Sequence, residues 1–293
     1  MYSEIDANKR KTWLLVVVFT AVIVALGYVF GRINGDPYGG IVLATMFATV
    51  MSLTGYFQGD AIALASAGAK RIKKSDNELV WNLVENLSIA SGSPMPAVYV
   101  IDDPSGNAFA TGRDPEHASI AVTTGLVRML SKAELEGVLA HELSHVRNYD
   151  VRVMTIVVVL VGIVMLLSDW MLRGMFHRRG NDNGGAGILL VVGIVLAILS
   201  PIFAQLIKMA VSRQREYLAD ASAALLTRHP EGLASALEKI AAADLPLLNA
   251  NHATAHLFLA NPFDPHVTKK FEQLFSTHPP IEERIERLRK MGR

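Results

Sequence analysis

The chain contains no cysteine. That one absence excludes disulfides, thiol catalysis, cysteine-rich zinc fingers and iron–sulfur clusters together. Any metal here must be held by His, Asp or Glu. Charge is scarce too: 19% of the 293 residues are charged, against roughly 25% in an average soluble domain. Neither sign is in excess, with 28 Lys and Arg facing 27 Asp and Glu, so no basic surplus points to nucleic acid. Composition also excludes collagen-like, coiled-coil and disordered chains.

Apolar residues are abundant instead. They make up 51% of the chain, and the mean hydropathy is +0.31. They gather in four stretches, residues 13–30, 39–57, 153–172 and 188–207. The first has 18 residues, near the lower limit of about 17 for spanning a bilayer. It follows Lys9, Arg10 and Lys11, as the core of a signal peptide would. No small-residue cleavage site follows it, and a second apolar stretch comes at once, so an uncleaved anchor is expected. Gly-containing turns join the first stretch to the second and the third to the fourth, which predicts two membrane hairpins.

Lys and Arg near the span ends set the expected orientation. With a cytoplasmic N-terminus, twelve such residues lie inside, among them Lys9, Lys70, Lys73, Arg147, Arg152, Lys208 and Arg215. Four lie outside: Arg32, Arg173, Arg178 and Arg179. Both termini and both polar regions are therefore expected in the cytoplasm. The resulting division is 1–57 as the first membrane hairpin, 58–152 as the first polar region, 153–207 as the second hairpin and 208–293 as the second polar region.

The first polar region reads as mixed α and β. Asp76 can cap a helix through about Ala90. Residues 97–101, 107–111 and 119–123 read as short strands. Ser131 and Glu134 form an S-x-x-E capping box, opening a helix through about Arg147. The second polar region reads as helical.

That capped helix carries His141-Glu142-Leu143-Ser144-His145, an HExxH pattern. Residues four apart share a helix face, so His141 and His145 can hold one metal ion. Glu142 is angled to reach a water beside the ion rather than the ion itself. Two imidazoles, a carboxylate and an open fourth place suit zinc. With nine histidines in the chain, the pattern arises by chance about once in 80 such sequences. The competing reading is a surface helix with two solvated histidines; the cap and the apolar Leu135, Val138, Leu139 and Leu143 weigh against it.

The third ligand must come from elsewhere. Glu216 and Asp220, in the run Ser212 to Asp220, again lie four apart. A metal-bound His commonly donates its other N–H to a carboxylate, so Glu216 as ligand and Asp220 as its supporting partner form a coherent pair. The bland alternative pairs both with Arg213 and Arg215 on a solvated helix. The remaining histidines, including His252 and His256, show no ligand spacing with a second motif.

HELSH followed by SRQREYLAD resembles the HtpX-type membrane zinc metalloproteases, in the larger family that includes the CAAX prenyl proteases. Asn107 to Gly112 (NAFATG) and Thr277 to Arg284 (THPPIEER) match as well. The resemblance covers nearly the whole chain, with four motifs in the family's order. It implies a mainly α membrane protein: four hydrophobic helices and a gluzincin-like α+β catalytic domain with a small β-sheet. It implies one zinc ion per chain on His141, His145 and Glu216, with Asp220 holding a ligand His. Asn107, Ala108, Phe109 and Ala110 would form an edge strand that pairs with substrate backbone. His278 would place substrate or stabilise the oxyanion, and Arg284 would bond near Glu216. The implied substrates are polypeptides, above all damaged membrane proteins, met at the cytoplasmic face of a bacterial inner membrane.

Other readings weigh less. An intramembrane-cleaving protease carries HExxH inside an apolar span, whereas Lys132, Glu134, Glu136, Arg147 and Asp150 surround it here. A prenyl-protein protease would have more spans. A non-enzymatic scaffold leaves Glu142 without a reason, and a transporter would rest on Asp169 alone.

Overall fold

The computed structural model describes residues 2–33, 35–177, 213–243, 245–248, 254, 257–259 and 279–292. Side chains are described within 164–177 for none of the residues. The expected fourth apolar stretch, at 188–207, lies outside the described residues.

Two long helices open the chain, α1 (Tyr2–Ile33) and α2 (Pro37–Ser66). Asp36 caps α2 by accepting from the Gly39 N–H, and Pro37 follows at the first helical position, where its missing N–H costs nothing. The two helices pack tightly because small residues meet: a Cβ on Gly27 would lie 2.2 Å from that of Ala44, and one on Gly40 would lie 2.2 Å from the Gly27 carbonyl. Such contacts let helix backbones approach where water supplies no driving force. Both helices are long and apolar enough to cross a membrane. Trp13, Phe30, Leu43, Met46 and Leu53 stand exposed on them, a surface that suits lipid rather than water.

A four-stranded sheet follows, ordered β1 (Lys70–Arg71), β2 (Ala97–Ile101), β4 (Ala118–Thr123), β3 (Ala108–Gly112). β2 and β4 run parallel; the other pairs are antiparallel. Helix α3 (Glu78–Ser91) lies between β1 and β2 in the chain. Its N-cap is Asn77, not Asp76. Asp76 instead accepts from the Lys73 backbone N–H at 2.8 Å, one residue too early to reach the helix. Short α4 (Thr124–Met129) leads to α5 (Lys132–Arg147), which carries HExxH.

Side chains alternate across the sheet, as the pleat requires. Val98, Ala108, Ala110, Ile120 and Val122 share a core with Leu135, Val138, Leu139 and Leu143 of α5. Tyr99, Ile101, Phe109 and Ala121 face a second core with α1, α2 and α6 (Asp150–His177). The sheet thus stands between the HExxH helix and the apolar helices. Gly59 of α2 lies against Thr155 of α6, where a Cβ would approach within 2.7 Å.

Helices α7 (Arg213–Thr227), α8 (Pro230–Ala243) and α9 (Ile281–Met291) complete the described fold. Gly137 of α5 lets α8 approach closely, since a Cβ there would come within 2.7 Å of the Leu233 nitrogen. The helical reading of the second polar region thus holds for these elements, and the molecule is mainly helical with a small mixed sheet.

Candidate metal centre

Helix α5 is locked at its start. Ser131 accepts from the Glu134 N–H at 3.4 Å, and Glu134 accepts from the Ser131 N–H at 2.7 Å. Glu134 also accepts from Ser235 at 2.6 Å and Lys239 at 2.8 Å, so the cap ties α5 to α8. Burial would raise the Glu134 pKa, but Lys239, Ser235 and Ser131 outweigh it and hold it at about 2.

One turn from the end of α5, His141 and His145 converge. Their Nε2 atoms lie 3.1 Å apart. Glu216 of α7 completes the group: Oε2 lies 3.7 Å from His141 Nε2, and Oε1 lies 3.5 Å from His145 Nε2. Ligands about 2.05 Å from a tetrahedral zinc ion sit about 3.3 Å from one another. The three observed separations bracket that value, so these residues fit a metal ion. All three residues are buried.

Each imidazole is oriented from behind. His141 Nδ1 lies 2.9 Å from Asp220 Oδ1, and His145 Nδ1 lies 3.0 Å from Asp150 Oδ2. With Nδ1 occupied in this way, Nε2 is the nitrogen left for a metal. Arg284 of α9 grips Asp220 through two donors, Nε at 2.9 Å and Nη2 at 2.8 Å. Its Nη1 stands 3.6 Å from Glu216 Oε2.

The electrostatics favour a cation at this point. Burial would lower the His145 pKa, yet the carboxylates of Glu216, Asp150 and Glu142 push it up to about 9. Asp220, which burial alone would raise, is held well below the usual carboxylate range by Arg284 and His141. Burial pushes Glu142 up, against the pull of His141 and His145. The carboxylates gathered here would equally attract a divalent ion.

Thus His141, His145, Glu216, Asp220 and Arg284 are brought to one place, and Glu142, 2% exposed, follows His141 on the same helix. Glu216 and Asp220 are buried rather than on a solvated face. Arg215 turns to Asp150 at 3.3 Å, while Arg213 is exposed. His278 lies outside the described residues.

Asn107 to Ala110 run into β3, the edge strand beyond β4. The Thr123 N–H donates to the Asn107 carbonyl at 3.0 Å, so Ala108, Ala110 and Gly112 turn their backbone groups to the outer edge. That edge is covered at both ends. The Leu259 N–H donates to the Ala108 carbonyl at 3.0 Å, with Phe258 edge-on to Phe109. Gly112 donates to Thr155 Oγ1 at 3.1 Å.

Two residues of this centre escaped the sequence reading. Asp150 had a signal: it is a carboxylate five residues past His145, and a second ligand His also needs a partner. Asn8, which donates to Asp150 at 2.7 Å, had none.

A buried His-His-Glu group on two helices beneath a small sheet defines a zincin-type metallopeptidase site. The profile of peptidase family M48 matches residues 74–292. A protease HtpX homolog of Thermoanaerobacter pseudethanolicus is 46% identical, over 99% of this chain and 98% of the relative. One from Dictyoglomus thermophilum is 46% identical over 99% and 95%, and one from Tropheryma whipplei strain Twist is 46% identical over 100% and 99%. The crystal structure of S. mikatae Ste24p shares the fold, with a TM-score of 0.50 at 19% identity, covering 98% of this chain and 67% of that one. The chain belongs to peptidase family M48. It is a metallopeptidase of the HtpX type, and that kinship, together with two helices long and apolar enough to cross a membrane, makes it a membrane protease.

Proposed function

We propose that the chain is a zinc endopeptidase that hydrolyses peptide bonds of misfolded or damaged membrane proteins at the cytoplasmic face of a bacterial inner membrane. The observation that carries the catalytic part is the convergence of His141, His145 and Glu216 with a carboxylate behind each imidazole. Zinc held there would lower the pKa of water toward about 7 and polarise the scissile carbonyl.

Glu142 takes a proton from the attacking water as its oxygen bonds to the carbonyl carbon. It then passes a proton to the amine as the carbon–nitrogen bond breaks. Asp220 and Asp150 keep both imidazoles turned to one point, and Arg284 steadies Asp220 and Glu216. His278 is assigned, on the resemblance alone, to placing substrate or donating to the oxyanion. An extended substrate would add to the outer edge of β3, where Ala110 lies between the positions taken by Leu259 and Thr155.

The membrane part rests on the four apolar stretches and on the excess of Lys and Arg expected on one side. Two hairpins would bring HExxH and Glu216 to the same face. Purified protein stripped of metal, given zinc and an unfolded substrate, tests the reading. Zinc-dependent cleavage by the native chain but not by Glu142→Gln supports it. Equal cleavage by both, or none by a folded, zinc-loaded sample, overturns it.

A further inference from the structure

Asp150 opens α6 just past the end of the HExxH helix and is 2% exposed. One carboxylate oxygen faces His145 Nδ1 at 3.0 Å. The other accepts from Asn8 Nδ2 at 2.7 Å and from Arg215 Nη1 at 3.3 Å. The Asn8 amide is used at both ends. Its Nδ2 also donates to the Asn148 carbonyl at 2.9 Å, and its Oδ1 accepts from Arg215 Nη1 at 3.3 Å.

Asn8 is fully buried and lies near the start of α1, outside the span matched by the family profile. A helix that only anchors a protein has no use for a buried amide there. Such a group costs free energy unless fully hydrogen-bonded, and this one joins α1 to the partner of His145.

We propose that Asp150 and Asn8 are positioning residues for the metal site: Asp150 sets the ring of His145, and Asn8, carried by the first membrane-capable helix, sets Asp150. The inference rests on the reading that His141, His145 and Glu216 hold the metal. A carboxylate on Nδ1 fixes the tautomer and ring plane of a ligand His, and losing such a partner typically weakens metal binding 10–100-fold. Asp150 in turn needs its remaining lone pairs filled to stay in place. An amide at position 8 supplies a donor to Asp150 and an acceptor to Arg215 together, which neither a carboxylate nor an ammonium could do. Metal retention thereby depends on the Asn8 amide that α1 carries.

The test is equilibrium zinc affinity of the full chain in detergent, measured by chelator competition, with thermal unfolding alongside. Asp150→Asn is expected to lose about 10–100-fold in affinity, and Asn8→Ala several-fold. The double variant should bind no more weakly than Asp150→Asn, because Asn8 acts through Asp150. Asn8→Asp, which keeps the side-chain size but sets like charges together, should lose more than Asn8→Ala. Phe19→Leu loosens the buried packing of α1 without touching the amide; it should lower the unfolding temperature and leave zinc affinity unchanged. Wild-type affinity in both Asn8 variants would overturn the proposal. So would singles whose effects multiply in the double variant, or a Phe19→Leu loss equal to that of Asn8→Ala. Glu216→Ala separates the two layers of the argument. If it keeps wild-type affinity, the metal site itself is misread; if it loses zinc while the Asn8 variants do not, only the link to α1 fails.

Discussion

Arg284 meets Asp220 through two parallel N–H donors, at 2.9 and 2.8 Å, with the guanidinium wholly buried. This pair fastens α9 to α7 and holds the carboxylate that orients His141. Removing one member of a buried pair leaves the other charge without compensation, at a cost of about 3–5 kcal/mol. Arg284→Ala should therefore unfold far more readily than wild type. Arg284→Lys should recover only part of the loss, since an ammonium cannot bond in the planar two-point manner. Thermal unfolding of the two variants in one detergent checks this; equal stability of Arg284→Ala and wild type would refute the role.

Glu142→Gln keeps the shape of the site and removes the base. Zinc content should stay near wild type while cleavage falls by about 10²–10⁴-fold, the usual contribution of a positioned acid–base group. Metal analysis and a cleavage assay on one preparation read both quantities. Loss of zinc in this variant would mean that Glu142 is a ligand rather than the base.

Metal removal has a matching expectation. Glu216→Ala should lose zinc, and a chelator should abolish cleavage by the native chain until zinc is restored. His145→Ala should behave like Glu216→Ala, because three protein ligands define such a site. Full occupancy in either variant would take that residue out of the ligand set.

Glu134 gives a pH-dependent prediction remote from the metal. Its folded pKa is about 2, below the ordinary value near 4.5. The unfolded state therefore binds the proton more readily, and the contribution is full above about pH 4.5. It is lost as pH falls toward 2. Glu134→Gln should cost on the order of 1 kcal/mol at neutral pH, because water screens the pair with the part-exposed Lys239, and the gap from wild type should narrow through that acid window. Paired unfolding curves at several pH values measure it; a constant gap would sink the explanation.

Much of the centre was legible in the sequence because it is local. A spacing of four puts His141 and His145 on one helix face, whatever else the chain does, and the same holds for Glu216 and Asp220. The capping box at Ser131 and Glu134 is likewise a matter of three residues. Short-range geometry was not always enough: Asn77 rather than Asp76 caps α3, since a shift of one residue decides which side chain reaches the first free N–H groups.

The sequence by itself determined the helix with its two imidazoles, the candidate third ligand, the lack of any thiol to compete for metal, and the apolar stretches. Local periodicity and composition suffice for those. Only the tertiary structure decided that Asp150 stands behind His145, that Asn8 reaches it from 142 residues away in the chain, and that Leu259 and Thr155 cover the two ends of the β3 edge while leaving Ala110 between them. Such contacts carry no period and no motif. They exist because packing of α1, α5, α6 and α7 brings distant polar groups into one dry space, where each must find a partner.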